Sequence, residues 1–226
     1  MDNEERNKYR AVGAIAVLVV SIMAIFFIFL NAREKKNTSL MLKMFYSDIT
    51  QTFQFSVNAN GPITDWGWKK NSKNEYIFNN YIANYMRVEE NCIDVKGKCL
   101  PKTNYKNLNN QDTPLNLSNL PSIKLNNGIA FAMDSQSSCR RKNIICAVLY
   151  VDLNSVEKPN IIGKDLFVFT IKNSQAVMVN TYNYNLPINQ LLYNNQVGCN
   201  KNSKLPLSCA AYIQNKGWMI DKNYQW

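Results

Sequence analysis

From Ala11 to Leu30 the chain (AVGAIAVLVVSIMAIFFIFL) carries no charge, and nothing comparable recurs in the rest of it. Twenty such residues match the length an α-helix needs to cross the ~30 Å hydrocarbon core of a bilayer. Charged residues flank the run, MDNEERNKYR before it and NAREKK after it. A removable signal peptide has a shorter apolar core and a small-x-small site beyond it. Leu30 and Ala32 in FLNAREKK fit such a site badly, so the run reads as an uncleaved anchor.

The period then changes. Leu42, Phe45, Ile49 and Phe53 fall at helical spacing, with Ser47, Asp48 and Gln51 on the other face. No Pro or Gly interrupts Ala14 to Asn60, and Gly61-Pro62 ends the pattern. The spacing predicts one continuous helix, lipid-facing in its first half and laid on a domain in its second through Phe45, Ile49 and Phe53. Glu75–Arg87 reads as a further helical stretch, with Tyr76, Ile77, Tyr81 and Tyr85 sharing one face. Leu100–Pro121, rich in Asn, Thr, Ser and Pro, reads as loop. Alternation and β-branched residues predict strands at Gly128–Met133, Ile144–Asp152, Leu166–Lys172 and Ala176–Val179, with Asn173-Ser174 turning between the last two. Leu207–Ile220 reads as a short helix capped by Gly217 in left-handed geometry. No internal repeat or second domain boundary appears. The expected organisation is a cytoplasmic N-terminus (1–10), a transmembrane helix (11–30), its extracytoplasmic continuation (31–60) and a globular domain (61–226).

Orientation rests on the cysteines, since Arg6, Lys8 and Arg10 before the span balance Arg33, Lys35 and Lys36 after it. Six residues separate Cys92 from Cys99 and Cys139 from Cys146, and nine separate Cys199 from Cys209. Local pairing is the simplest arrangement of three such close-set pairs, although six cysteines allow many others. Zinc is the competing use of clustered thiols, but it calls for tighter spacing or histidine, and the chain has no His. Disulfides imply an oxidising compartment, which places Asn31–Trp226 outside the cell membrane.

Charge adds a partner class. The first ten residues hold three basic and three acidic side chains and the span holds none, so the formal +10 of the chain falls on residues 31–226. A basic exterior attracts nucleic acid or another anionic polymer, although no Lys/Arg-rich block stands out, and a merely soluble surface has the same composition.

Three stretches carry a family resemblance: LKMFYSDITQTFQFSVNANGPITDWGW (42–68), VDLNSVEKPNIIGKDLFVFTI (151–171) and SCAAYIQNKGWMIDKNYQW (208–226). The pattern D-x-N…K-x-P-N-x-x-G-x-D-x-F-x-F and the ending Cys…G-W-x-I…Tyr-x-Trp resemble the type IV pilin and pseudopilin superfamily, above all prepilin-like proteins of gut bacteria. The resemblance implies an α+β fold, with the long helix packed on an antiparallel sheet. It also implies a non-enzymatic subunit of a type IV pilus or type II secretion-related assembly, with other pilin-like subunits or platform proteins as partners. The chain departs from the family at the prepilin peptidase site. The candidate glycine, Gly13, precedes Ala14, and Leu18 stands where a mature pilin has glutamate, so an unprocessed N-terminus is expected. The other reading is a membrane-tethered binding module whose basic head takes DNA or an anionic surface polymer.

Catalysis finds no signature, since His, G-x-S-x-G, H-E-x-x-H, P-loop and G-x-G-x-x-G patterns are all absent. Neither a cofactor nor a small-molecule substrate is expected. Asp152-Leu153-Asn154 with Asp165 is the best cation-site candidate. It breaks the calcium-loop pattern at Val156, Glu157 and Gly163 and reads instead as a turn between strands, with no metal expected. Asp65-Trp66-Gly67-Trp68 reads as an anchor for the end of the long helix, with an aromatic binding platform as its other use.

Overall fold

The uninterrupted stretch becomes one helix, α1, spanning Asn3–Asn60. This is a computed structural model, and it describes residues 3–69, 74–93, 95, 97–174 and 178–226. Residues 1–37 and 38–226 form separate units. In the first, the described apolar side chains from Ile15 to Leu30 are exposed. Among the described residues α1 is the one helix long and apolar enough to cross a membrane.

In the second unit, α1 buries the stripe that its period singled out. Leu42, Phe45, Ile49 and Phe53 are at most 1% exposed. Each such side chain contributes roughly 1.5–3 kcal/mol by leaving water. The helix stops where Gly61 adopts φ +80° and donates its N–H to the Val57 carbonyl at 2.9 Å. Pro62 then forbids continuation.

Six strands form one antiparallel sheet in chain order: β1 (Val88–Asn91), β2 (Ser122–Leu125), β3 (Ala130–Ser135), β4 (Ile145–Asp152), β5 (Leu166–Lys172) and β6 (Val179–Thr181). Alternation sends Phe131, Met133, Leu149, Val151, Phe167, Phe169 and Ile171 into the main core with α1. The other face is covered too. Ala130, Ala132 and Leu166 join Leu100, Tyr105, Leu117 and Ile162 in a second cluster built from the Asn-rich loop region. The fold is therefore α+β, a long N-terminal helix on an antiparallel sheet.

Two short strands escaped the sequence reading. Both β1 and β2 have four residues, too few to show alternation, and they flank the loop region they brace. The last strand begins later than expected, at Val179, and residues 176–177 of that expectation lie outside the described residues. The helical stretch after Asn74 is α2 (Glu75–Ile77), then a π-turn over Phe78–Ile82 and a 3₁₀ turn over Ala83–Tyr85. The wider π-turn rotates the faces. Tyr76 meets the Tyr81 ring at 5.9 Å but is 67% exposed, whereas Ile77 is buried with Phe78 and Ile82, so Ile77 leaves the face expected for Tyr76, Tyr81 and Tyr85.

Two short helices, α3 (Ile188–Tyr193) and α4 (Cys209–Asn215), complete the unit. Beyond α4 the Gly217 N–H bonds the Gln214 carbonyl and the Trp218 N–H bonds that of Ile213, at 3.0 and 2.9 Å. This is a Schellman cap with Gly217 at φ +69°. It lays Trp218 against Tyr46 of α1, ring centres 5.3 Å apart.

Candidate functional site

The helix-to-sheet contact is built from aromatic side chains. Phe45 sits between Phe131 and Phe169, with centroids 5.3 and 5.4 Å away. Phe53, two turns on, stacks on Trp66 at 5.8 Å. Trp66 in turn stacks on Tyr81 at 4.6 Å and on Trp68 at 6.4 Å. Both indole N–H groups are satisfied locally, Trp66 donating to the Gly61 carbonyl and Trp68 to that of Ile63. With both tryptophans buried, the cluster anchors the helix end and presents no aromatic platform to solvent.

The opposite face of the same segment is bare. Leu40, Met44 and Phe55 are 54%, 46% and 60% exposed. A groove of about 660 Å³ runs beside this face, walled by Met44, Asp48, Gln51 and Phe55 on one side and Met86, Arg87 and Leu125 on the other.

The three cysteine pairs are disulfides: Cys92–Cys99, Cys139–Cys146 and Cys199–Cys209. A Glu90 carboxylate oxygen and the sulfurs of Cys92 and Cys99 lie within 4.8 Å of one another, but those two sulfurs are bonded to each other and Glu90 pairs with Lys98.

Residues 153–165 connect β4 to β5 and, with Asp152 at the end of β4, hold the D-x-N…P-N-x-x-G-x-D pattern. Most of that pattern has a structural task, although the buried side-chain oxygens of Asn154 and Asn160 lack a hydrogen-bond partner among the described residues. Asp152 accepts the Tyr105 hydroxyl at 2.7 Å and the Asn154 N–H at 3.0 Å. Asn154 spans the turn to the Lys158 carbonyl at 3.1 Å. Asp165 accepts the N–H groups of Asn160 and Ile161, each at 2.6 Å. Gly163 has φ +92°, and a Cβ there would lie 2.7 Å from Cys209 Sγ. Its carbonyl accepts the buried Tyr224 hydroxyl, which ties the connector to the C-terminal segment.

Both carboxyls are buried. Burial, reinforced by the charge of Asp165, holds Asp152 well above the usual carboxylate range, against the opposing Tyr105 hydrogen bond. Burial likewise pushes Asp165 up to about 6, although the N–H groups of Ile161 and Asn160 favour its charged form. Among the described residues no third acidic, Cys or His side chain completes a metal-ligand set with them. The connector can hold a proton near neutral pH, and its hydrogen bonds shape a turn. Tyr105, which caps Asp152 from the Asn-rich loop, was not foreseen; nothing in its local sequence distinguishes it from the other tyrosines.

A family model described as a family of unknown function (DUF6613) matches residues 29–226, and the chain belongs to that family. No curated protein and no solved structure matches the chain.

Proposed function

We propose that the chain is a non-enzymatic, membrane-anchored, pilin-like subunit of a type IV pilus or type II secretion-related assembly. Its N-terminus is cytoplasmic and its globular domain extracytoplasmic. One observation carries the reading: the second half of α1 buries Leu42, Phe45, Ile49 and Phe53 against the sheet while leaving Leu40, Met44 and Phe55 exposed on the other side. A plain stalk has no use for the first stripe, and a self-contained domain has no use for the second. Exposed apolar side chains in one line are what a helix needs to pack on other helices. The disulfides agree with an oxidising exterior, and the apolar run agrees with anchoring in a bilayer.

The test is photo-crosslinking in intact membranes, with a photoreactive residue replacing Leu40, Met44 or Phe55 in turn. Crosslinks to further copies or to other pilin-like chains are expected from these positions. Exclusively monomeric products from all three would refute the assembly reading.

A further inference from the structure

Basic charge is concentrated at one end of the sheet, in three consecutive residues and a fourth beside the turn that follows β5. Between β3 and β4 the chain reads Cys-Arg-Arg-Lys-Asn-Ile-Ile-Cys, residues 139–146, closed into a ring by the Cys139–Cys146 disulfide. Arg140, Arg141 and Lys142 are all exposed, and none has an ion-pair partner among the described residues.

The ring is held against the turn that follows β5. The Asn143 N–H donates to the Asn173 carbonyl at 2.7 Å, and the Asn173 N–H donates to that of Ile144 at 3.0 Å. The Asn173 side chain also donates to the carbonyls of Cys139 and Arg141, at 3.0 and 3.2 Å. Lys172 lies beside this turn, its ammonium 4.9 Å from the centre of the half-buried Tyr184 ring.

The sequence flanking this loop is poor in acidic residues. None occurs between Asp134 and Asp152, and none between Asp165 and Asp221. Asp152 ends β4, and Glu157 and Asp165 belong to the β4–β5 connection, all at the opposite end of those strands. Asp134, at the loop end of β3, is partly buried and accepts a hydrogen bond from Gln136.

We propose that the disulfide-closed loop bearing Arg140, Arg141 and Lys142, with Lys172 beside it, is a docking surface for the phosphate backbone of DNA. The proposal goes beyond the assembly reading and does not depend on it. Guanidinium forks match phosphate oxygens in bidentate geometry. Each strand of duplex DNA carries one charge per ~3.4 Å of axis, so cations at most ~7 Å apart along the chain match the phosphate spacing of one strand. The ring and its tie to Asn173 fix the backbone that carries the charges before binding, which lowers the ordering cost. No helix is offered to a groove, so binding is independent of sequence and on the order of 1–100 µM at physiological salt.

The experiment uses the full chain in nanodiscs of neutral phosphatidylcholine, titrated against a fluorescein-labelled, mixed-sequence DNA duplex by anisotropy over a salt series. The variant R140A/R141A/K142A should bind at least about tenfold more weakly, and its salt slope should fall by about 2–3. The control K201A/K204A/K222A removes the same charge from exposed sites elsewhere and should change affinity by less than about twofold. R141E alone, a single exposed change, should weaken binding in the same direction. Equal losses in the two triple variants would overturn the proposal, as would no binding by the wild type. Binding to heparin or phosphatidylserine vesicles that DNA does not compete away would also overturn it, assigning the surface to a glycan or a membrane. No other subunit is present in this assay, so its outcome is separate from that of the crosslinking test.

Discussion

Two phenylalanines ten residues apart on α1 show how much a position decides. Phe45 is fully buried between two rings of the sheet, whereas Phe55 is 60% exposed. Truncating Phe45 to Ala removes a core side chain and should cost about 3–5 kcal/mol. The same change at Phe55 should stay within about 0.5 kcal/mol in the isolated subunit. Denaturant unfolding of the two variants measures the difference, and equal tolerance would mean that the stripe carries no stability. Gly163→Ala should destabilise by at least ~1 kcal/mol, because alanine resists a positive φ and its Cβ would press on Cys209 Sγ. The buried stripe was legible because helical spacing alone sets which residues share a face. The Tyr105 partner of Asp152 was not, since it comes from a loop 47 residues away in sequence and leaves no local pattern.

At the scale of elements, the β4–β5 connector has a pH signature of unusual sign. Carboxyls ionise near pH 4 in an unfolded chain, but burial raises Asp152 well above that and Asp165 to about 6. The folded state therefore binds more protons between these values. The stability these groups contribute is complete below about pH 4 and is lost as the pH rises through about 6. Burial raises Asp134 in the same direction, opposed by Gln136. Asp221 works the other way: despite some burial, its bonds with Tyr212, Asn223 and Lys216 hold it low. The melting temperature should thus fall between pH 5 and pH 7.5, and Asp165→Asn should flatten that dependence while lowering the whole curve. A melting temperature that rises over this interval would contradict the assignment. The long strands β4 and β5 were legible within a residue of their true ends because alternation and β-branching agree there. The short β1 and β2 were hidden, and the π-turn at Phe78–Ile82 reassigned a face that regular helical spacing had misplaced.

For the molecule as a whole, the three disulfides close loops of about 8 to 11 residues, and each should contribute about 2–3 kcal/mol by restricting the unfolded chain. Together they rival the ~5–15 kcal/mol available to a domain, so full reduction should lower the melting temperature sharply or abolish folding. Calorimetry with and without reductant checks this. A reduced protein that melts unchanged would show that packing suffices alone. The strand order has a consequence for how such a chain comes to be folded. Every strand pairs only with its immediate neighbours in sequence, so no strand must wait for a later one to insert beside it. If the chain is delivered across a bilayer from its anchored end, the sheet can grow one hairpin at a time behind the point of emergence. At each stage a single fresh edge is open, and the helix that receives the growing sheet is already in place. Topologies with long-range pairings leave edges waiting and fold more slowly; this order of arrival suits a protein that meets its final compartment progressively.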